Sequence, residues 1–249
     1  AWTARGFNAG ATDNRGVLSE IVSLRAASAR LLGFSSFADL SLEHTMAKTP
    51  AEVLKLLNAV WPHARDAALA ERILLQEAAR QSGDNIDVAA WDWRYYTEKV
   101  RKARYNLDEA DVKPYLQLDR MIEAAFDCAT RLFGLIFVEI KGIALHNPEA
   151  RAWDVKRKDG RPVGVFVGDY FMRPSKRSGA WMSAFRRQHK LADTADGVQL
   201  PIITNTCNFA KPAAGELALI SLEDARTLFH EFGHALHGLS SNVTYPSLS

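Results

Sequence analysis

The stretch SLEDARTLFHEFGHALHG, residues 221–238, decides how the rest of this sequence is interpreted. Ser221 and Asp224 fit a capping box, in which the two side chains satisfy the first free amides of a helix. Apolar residues then recur at helical spacing, at Leu222, Ala225, Phe229, Phe232 and Leu236. The stretch therefore predicts an amphipathic helix that ends near Gly238.

This helix contains an H-E-x-x-H pattern made by His230, Glu231 and His234. Because residues four apart on an α-helix share a face, the two imidazoles can reach one ion from the same side. Glu231 is rotated by about 100° from His230, so its carboxylate lies beside the ion and can accept a proton from water bound there. The pattern predicts a zinc site with Glu231 as general base and a peptide bond as the natural substrate.

Two other interpretations of the pattern are weaker. Composition alone would produce it by chance in about one chain in a hundred, but a capped amphipathic helix is the setting that the metal geometry requires. Glu231 and His234 also form the Glu-x-x-His of di-iron bundles, yet no other histidine here has a glutamate three positions before it.

Gly233 lies inside the helix at a cost of about 1 kcal/mol relative to alanine, which suggests close approach by backbone or substrate.

A zinc site normally has three protein ligands, and the pattern supplies two. His237 shares the face but lies about 10 Å from His230 along the helix axis, so an ion near both would collide with the ring of His234. A third histidine six residues after His234 would follow the metzincin pattern, but that position is Ser240. We therefore expect the third ligand beyond Ser249, from the remainder of a catalytic domain.

The composition excludes several classes of protein. Thirty-one basic and 29 acidic residues among 249 leave a net charge of +2, so neither nucleic acid nor a membrane is expected as a partner. No apolar run approaches the 18 or so residues of a spanning helix, and the first residues contain no secretory signal. Cys128 and Cys207 form no C-x-x-C pair, which predicts free thiols in a reducing compartment.

Helical periodicity dominates residues 1–134. The predicted helices start after a cap at Asp13 or Asn14, at Pro50, at Trp91 and at Pro114, and the last ends at Gly134. The pattern from Pro50 fits one long helix or two helices broken near Pro62. The pattern from Trp91 runs to Leu107.

After residue 135 the pattern changes to short β-branched or aromatic runs that are separated by turn residues. The predicted strands are LIFVEI (135–140), RAWDVKR (151–157), GVFVGDYF (164–171) and LPIITNT (200–206). RPSKRSGAW (173–181) is predicted to be a mobile loop. The sequence therefore predicts a mainly α protein with a small β-sheet, divided into a helical region at 1–134 and a second region at 135–249 that contains the sheet and the H-E-x-x-H helix.

Several of these segments resemble one known family. TLFHEFGHALHG (227–238) resembles the active-site helix of thimet oligopeptidase-type zinc metallopeptidases. GDYFMRPSKRSGAWMSAF (168–185), NFAKPAAGELALIS (208–221) and the terminal YPSLS are similar to the peptidyl-dipeptidase branch of that family.

The resemblance implies a zincin-like catalytic region that is incomplete in this chain and lies at the floor of a channel that admits short peptides. It also implies a cytoplasmic protein. It implies that His230 and His234 bind zinc, that Glu231 is the general base, and that the third ligand and the oxyanion-stabilising residues come later. The expected reaction is release of C-terminal dipeptides, and the chain alone is expected to be inactive without the third ligand. No residue is assigned to substrate binding. The alternative is a noncatalytic helical fragment or pseudo-enzyme that binds peptides or a partner chain.

Overall fold

A computed structural model describes residues 5–106, 108–213 and 215–249 of the chain. They form two compact units, the first ending at Tyr105 and the second running from Asn106 to Ser249. No helix in these ranges is long and apolar enough to cross a membrane.

The first unit is helical. Its helices are α1 (Arg15–Leu31), α2 (Phe37–Leu42), α3 (Pro50–Gln81) and α4 (Trp93–Tyr105). Helix α3 continues through Pro62 as a single helix, and the side chain of Thr49 caps it by accepting a hydrogen bond from the amide of Glu52. The predicted helix from Trp91 begins at Trp93, and its last predicted residue, Leu107, lies outside the described residues.

Four buried side chains of the first unit form a small core where α3 meets α4. Leu75 and Ala79 of α3 pack with Tyr96 of α4 and with Val88 from the connection between the two helices. The hydroxyl of Tyr96 donates a hydrogen bond of 2.8 Å to Asp84, which satisfies this buried polar group.

Among its described residues, the second unit contains three α-helices and one sheet. Its helices are α5 (Glu109–Val112), α6 (Leu118–Phe133) and α7 (Leu222–Leu239). Helix α6 ends at Gly134, which has the left-handed φ of 68° that glycine adopts readily after a helix. The predicted start at Pro114 is wrong, because Pro114 lies in a separate 3-10 turn and Gln117 is extended before α6 begins.

The sheet has five strands in the order β1-β2-β3-β5-β4. They are β1 (Leu135–Ile140), β2 (Arg151–Arg157), β3 (Pro162–Phe171), β4 (Trp181–Arg186) and β5 (Ile202–Phe209). Strands β3 and β5 pair in parallel and the other pairs are antiparallel. The sequence did not predict β4, because most of its residues are exposed at the edge of the sheet and show no apolar alternation.

One face of the sheet packs against α6 and α7. Phe126 of α6, Phe232 of α7 and the strand residues Phe137 and Phe166 form an aromatic cluster with ring centroids 4.2 to 6.3 Å apart. This shared core explains why α6 belongs to the same compact unit as the sheet. The predicted division at 134/135 follows the change from helix to strand, and as a domain boundary it stays a prediction.

Candidate metal centre

Local interactions set the start of α7. The amide of Asp224 donates a hydrogen bond of 3.0 Å to the side chain of Ser221, and the amide of Ser221 donates one of 3.1 Å to the carboxylate of Asp224. This is the predicted capping box. Helix α7 then buries one side against the sheet and leaves the opposite side exposed.

The two histidines of the motif lie on the exposed side and face each other. The Nε2 atoms of His230 and His234 are 3.2 Å apart, and their ring centroids are 4.8 Å apart. Two nitrogens bound to one tetrahedral zinc ion at 2.0–2.1 Å are about 3.3 Å apart. The imidazoles are therefore arranged as two of the four ligands that zinc requires.

Glu231 lies beside this pair, on the side of α7 that faces the sheet. It is only 8% exposed. Its charge acts on Cys207 of β5: burial raises the pKa of the Cys207 thiol to about 12, and the nearby Glu231 carboxylate contributes. A carboxylate that is beside the histidines, and not between them, can accept a proton from water at the metal without occupying a ligand position.

The two glycines of α7 have different surroundings. A Cβ atom added to Gly238 would lie 2.7 Å from Cδ1 of Ile203, so α7 packs closely on β5 at that position and a larger residue would have to displace the end of Ile203. A Cβ atom added to Gly233 would have no neighbour within 4 Å among the described residues. The close approach that the sequence suggested at Gly233 is therefore not made by the described part of this chain.

A third protein ligand is also not found near the histidines. Among residues 5–106, 108–213 and 215–249, no three His, Cys, Asp or Glu side chains come together in a way that could hold a metal ion. His237 is exposed on α7, one turn beyond His234. The described residues bring together two histidines and a flanking carboxylate.

The sequence analysis missed a buried cluster of charges centred on Asp169, at the end of β3. Arg173 donates two hydrogen bonds to its carboxylate, at 2.8 and 2.6 Å, and Nε2 of His146 lies 2.9 Å from Oδ2. Nζ of Lys176 lies 2.8 Å from Oδ1, and both side chains of this pair are 3% exposed. Burial opposes ionisation of Asp169, but these partners outweigh it and hold its pKa below the usual range.

Lys176 also donates hydrogen bonds to backbone carbonyls where the sheet pairing is irregular. The pairing of β3 with β5 shifts register between Asp169 and Phe171. Nζ of Lys176 donates to the carbonyl oxygens of Asp169, Phe171 and Cys207, at 3.0, 2.7 and 2.7 Å. A carboxylate at the end of a predicted strand, followed by two cations four and seven residues later, is the only sequence signal for this cluster.

The cluster anchors the loop that was predicted to be mobile. Besides Lys176, the side-chain amide of Asn208 on β5 donates to the carbonyls of Arg177 and Gly179, at 2.8 and 2.6 Å. The loop leads directly into the edge strand β4, which pairs with β5 and contacts α7. Charged and polar side chains thus hold the segment between β3 and β4.

An H-E-x-x-H helix packed on a small sheet, with both imidazoles exposed on one side, defines a zincin-like metallopeptidase catalytic region. The sequence matches peptidase family M3 over residues 1–249, and the chain belongs to that family.

The relatives agree with the resemblance to the peptidyl-dipeptidase branch. The chain is 40% identical over 250 residues to a dipeptidyl carboxypeptidase of Salmonella typhimurium, an alignment that covers all of this chain and 36% of the relative. It is 33% identical over 245 residues to oligopeptidase A of Escherichia coli, covering 98% of this chain and 36% of the relative. The chain thus spans 36% of the length of these curated relatives.

Proposed function

We propose that this chain is part of a zinc-dependent peptidase that hydrolyses short peptides and releases dipeptides from their C-termini. The observation that carries the proposal is the 3.2 Å separation of the Nε2 atoms of His230 and His234 on the exposed side of α7. The dipeptide specificity is supported by the name of the more similar relatives, which are 40% identical to this chain.

Three residues have roles in the proposed reaction. His230 and His234 hold zinc through Nε2 in their neutral form, because an imidazolium has no free lone pair for a metal. Zinc, when bound, lowers the pKa of water and polarises the carbonyl of the scissile bond. Glu231 takes the proton from the attacking water and can then deliver it to the leaving amine. Glu231 is buried, at 8% exposed, and this burial limits the movement of its side chain.

We also propose that a third protein ligand comes from outside the described residues. The isolated chain should therefore have little activity. Zinc that is bound by two histidines alone lacks one of the three protein ligands of catalytic sites.

We further propose that the peptide lies along β4. This strand forms an exposed edge of the sheet next to α7, and extended peptides add to such edges through backbone hydrogen bonds. The amides of β4 should exchange more slowly with solvent when a substrate analogue binds. Unchanged exchange in the presence of bound analogue would argue against this placement.

The partners in this proposal are short peptides, with no role for nucleic acid or a membrane. The small net charge of +2 supports this. The two free thiols support a cytoplasmic location.

Zinc content and hydrolysis test the proposal. The purified chain should bind about one zinc ion, and His230→Ala or His234→Ala should abolish this binding, while Glu231→Gln should retain the metal. His189→Ala is a matched control, since its ring lies outside α7. Zinc-free wild-type protein that still binds peptides would favour the noncatalytic alternative. Chelator-sensitive cleavage of a blocked tripeptide that is lost in Glu231→Gln would exclude that alternative and show that the chain is active alone.

A further inference from the structure

Gly233 lies on the exposed side of α7, and no neighbour among the described residues explains it. Glycine in a helix interior shifts the folding equilibrium by a factor of about five against alanine. At Gly238 the contact with Ile203 compensates for this cost, but at Gly233 an added Cβ atom would meet nothing within 4 Å. The described chain thus carries the cost of Gly233 without a contact that benefits from it.

The position of Gly233 around the helix is specific. With about 100° between successive residues, His230 and His234 are about 40° apart, and an ion that they share lies between them. Glu231 is then rotated about 80° from this direction on one side, and Gly233 about 80° on the other. The burial agrees, because Glu231 is turned toward the sheet and Gly233 is exposed.

A tetrahedral zinc ion held by these histidines would have two remaining ligand positions. The two histidines lie one turn apart along the helix axis, so the other two positions are on opposite flanks of α7. The reacting water must occupy the Glu231 flank, because only there can the carboxylate reach its proton. The Gly233 flank is left for the third protein ligand, and a carboxylate there would offset the charge of a zinc ion held by two neutral imidazoles.

We propose that Gly233 is a positioning residue for this third ligand. The absence of a side chain lets the backbone of a polypeptide segment pass close against α7 and bring its carboxylate to the metal. This inference rests on the zinc site of the proposed function.

The test uses the 249-residue chain and supplies the third ligand separately. Zinc is titrated into the wild type and into Gly233→Ala, Gly233→Leu and Arg226→Leu at neutral pH. The zinc-loaded proteins are then titrated with acetate and with a short alanine-rich peptide that contains one central glutamate. Arg226→Leu is the matched control, since Arg226 lies on the same flank two turns earlier. Acetate reports access to the metal, and the peptide reports the approach of a backbone.

The peptide should bind zinc-loaded Gly233→Leu at least tenfold more weakly than the wild type, while zinc and acetate binding change by less than twofold. Gly233→Ala should lower the unfolding equilibrium constant of the metal-free chain about fivefold. Unchanged peptide affinity, absence of peptide binding to the zinc-loaded wild type, an equal loss of acetate affinity, or destabilisation by Gly233→Ala would each overturn the inference alone. A wild-type chain that binds no zinc would overturn the proposed function as well.

Discussion

Replacing Asp169 with asparagine should strongly destabilise the unit that contains the sheet. The side chains of Asp169 and Lys176 are 3% exposed and lie 2.8 Å apart. Asparagine has nearly the same size, so the substitution removes the charge and leaves the shape. It leaves the ammonium of Lys176 buried without a counter-charge and places an amide donor against the donors of Arg173. Loss of one partner of a buried ion pair costs about 3–5 kcal/mol.

Urea unfolding followed by tryptophan fluorescence, to which Trp153 in the core of this unit contributes, measures the effect. With an m value of about 2–3 kcal/mol/M, the midpoint should fall by about 1–2.5 M. Asp159→Asn is the control, because Asp159 forms an exposed ion pair with Arg161 and should contribute no more than about 1 kcal/mol. A midpoint for Asp169→Asn that equals the midpoint of this control would refute the reasoning.

The pH dependence gives a second measure of the same pair. The folded protein lowers the pKa of Asp169 below its ordinary value of 3.8. The stabilisation from this carboxylate is therefore complete above that value and is lost as the pH falls through the lower folded pKa. The stability difference between wild type and Asp169→Asn should therefore narrow as the pH falls below 3.8.

Three further predictions concern the packing of α7 and the two thiols. Gly238→Ala should destabilise the protein by about 1–3 kcal/mol in urea unfolding, because the new Cβ would lie 2.7 Å from Ile203. In an Ile203→Ala background this loss of stability should disappear, and its persistence would argue against the contact. Phe232→Ala should cost about 3–5 kcal/mol by the same assay, since Phe232 packs against Phe126, Phe137 and Phe166, and a loss below 1 kcal/mol would mean that the cluster is loosely packed. A thiol reagent at pH 8 should label the exposed Cys128 in the folded protein and Cys207 only after unfolding, because burial raises the pKa of Cys207 to about 12. Mass spectrometry measures the labelling of each thiol, and similar reaction rates for both thiols would contradict the prediction.

The sequence by itself determined those features that depend on neighbours within about one helical turn. Three such features are the capping box of Ser221 and Asp224, the end of α6 at Gly134, and the shared face of His230 and His234. All of them depend on residues three or four positions apart. Periodicity and capping preferences encode such contacts directly. For this reason the sequence alone predicts the helix that carries the candidate ligands and the three candidate site residues on it.

Tertiary structure alone decided the features that depend on distant segments. Strand β4 exists because β5 offers it a partner edge, and its own residues show no apolar alternation. Lys176 is buried beside the register shift between β3 and β5, where its ammonium donates to carbonyl oxygens of both strands, one of them on Cys207, 31 residues away. Gly238 is explained by Ile203, and Gly233 is not explained by any described neighbour, a distinction that depends on how α7 packs on the sheet. These contacts depend on strand register and helix packing, which one-dimensional patterns do not encode.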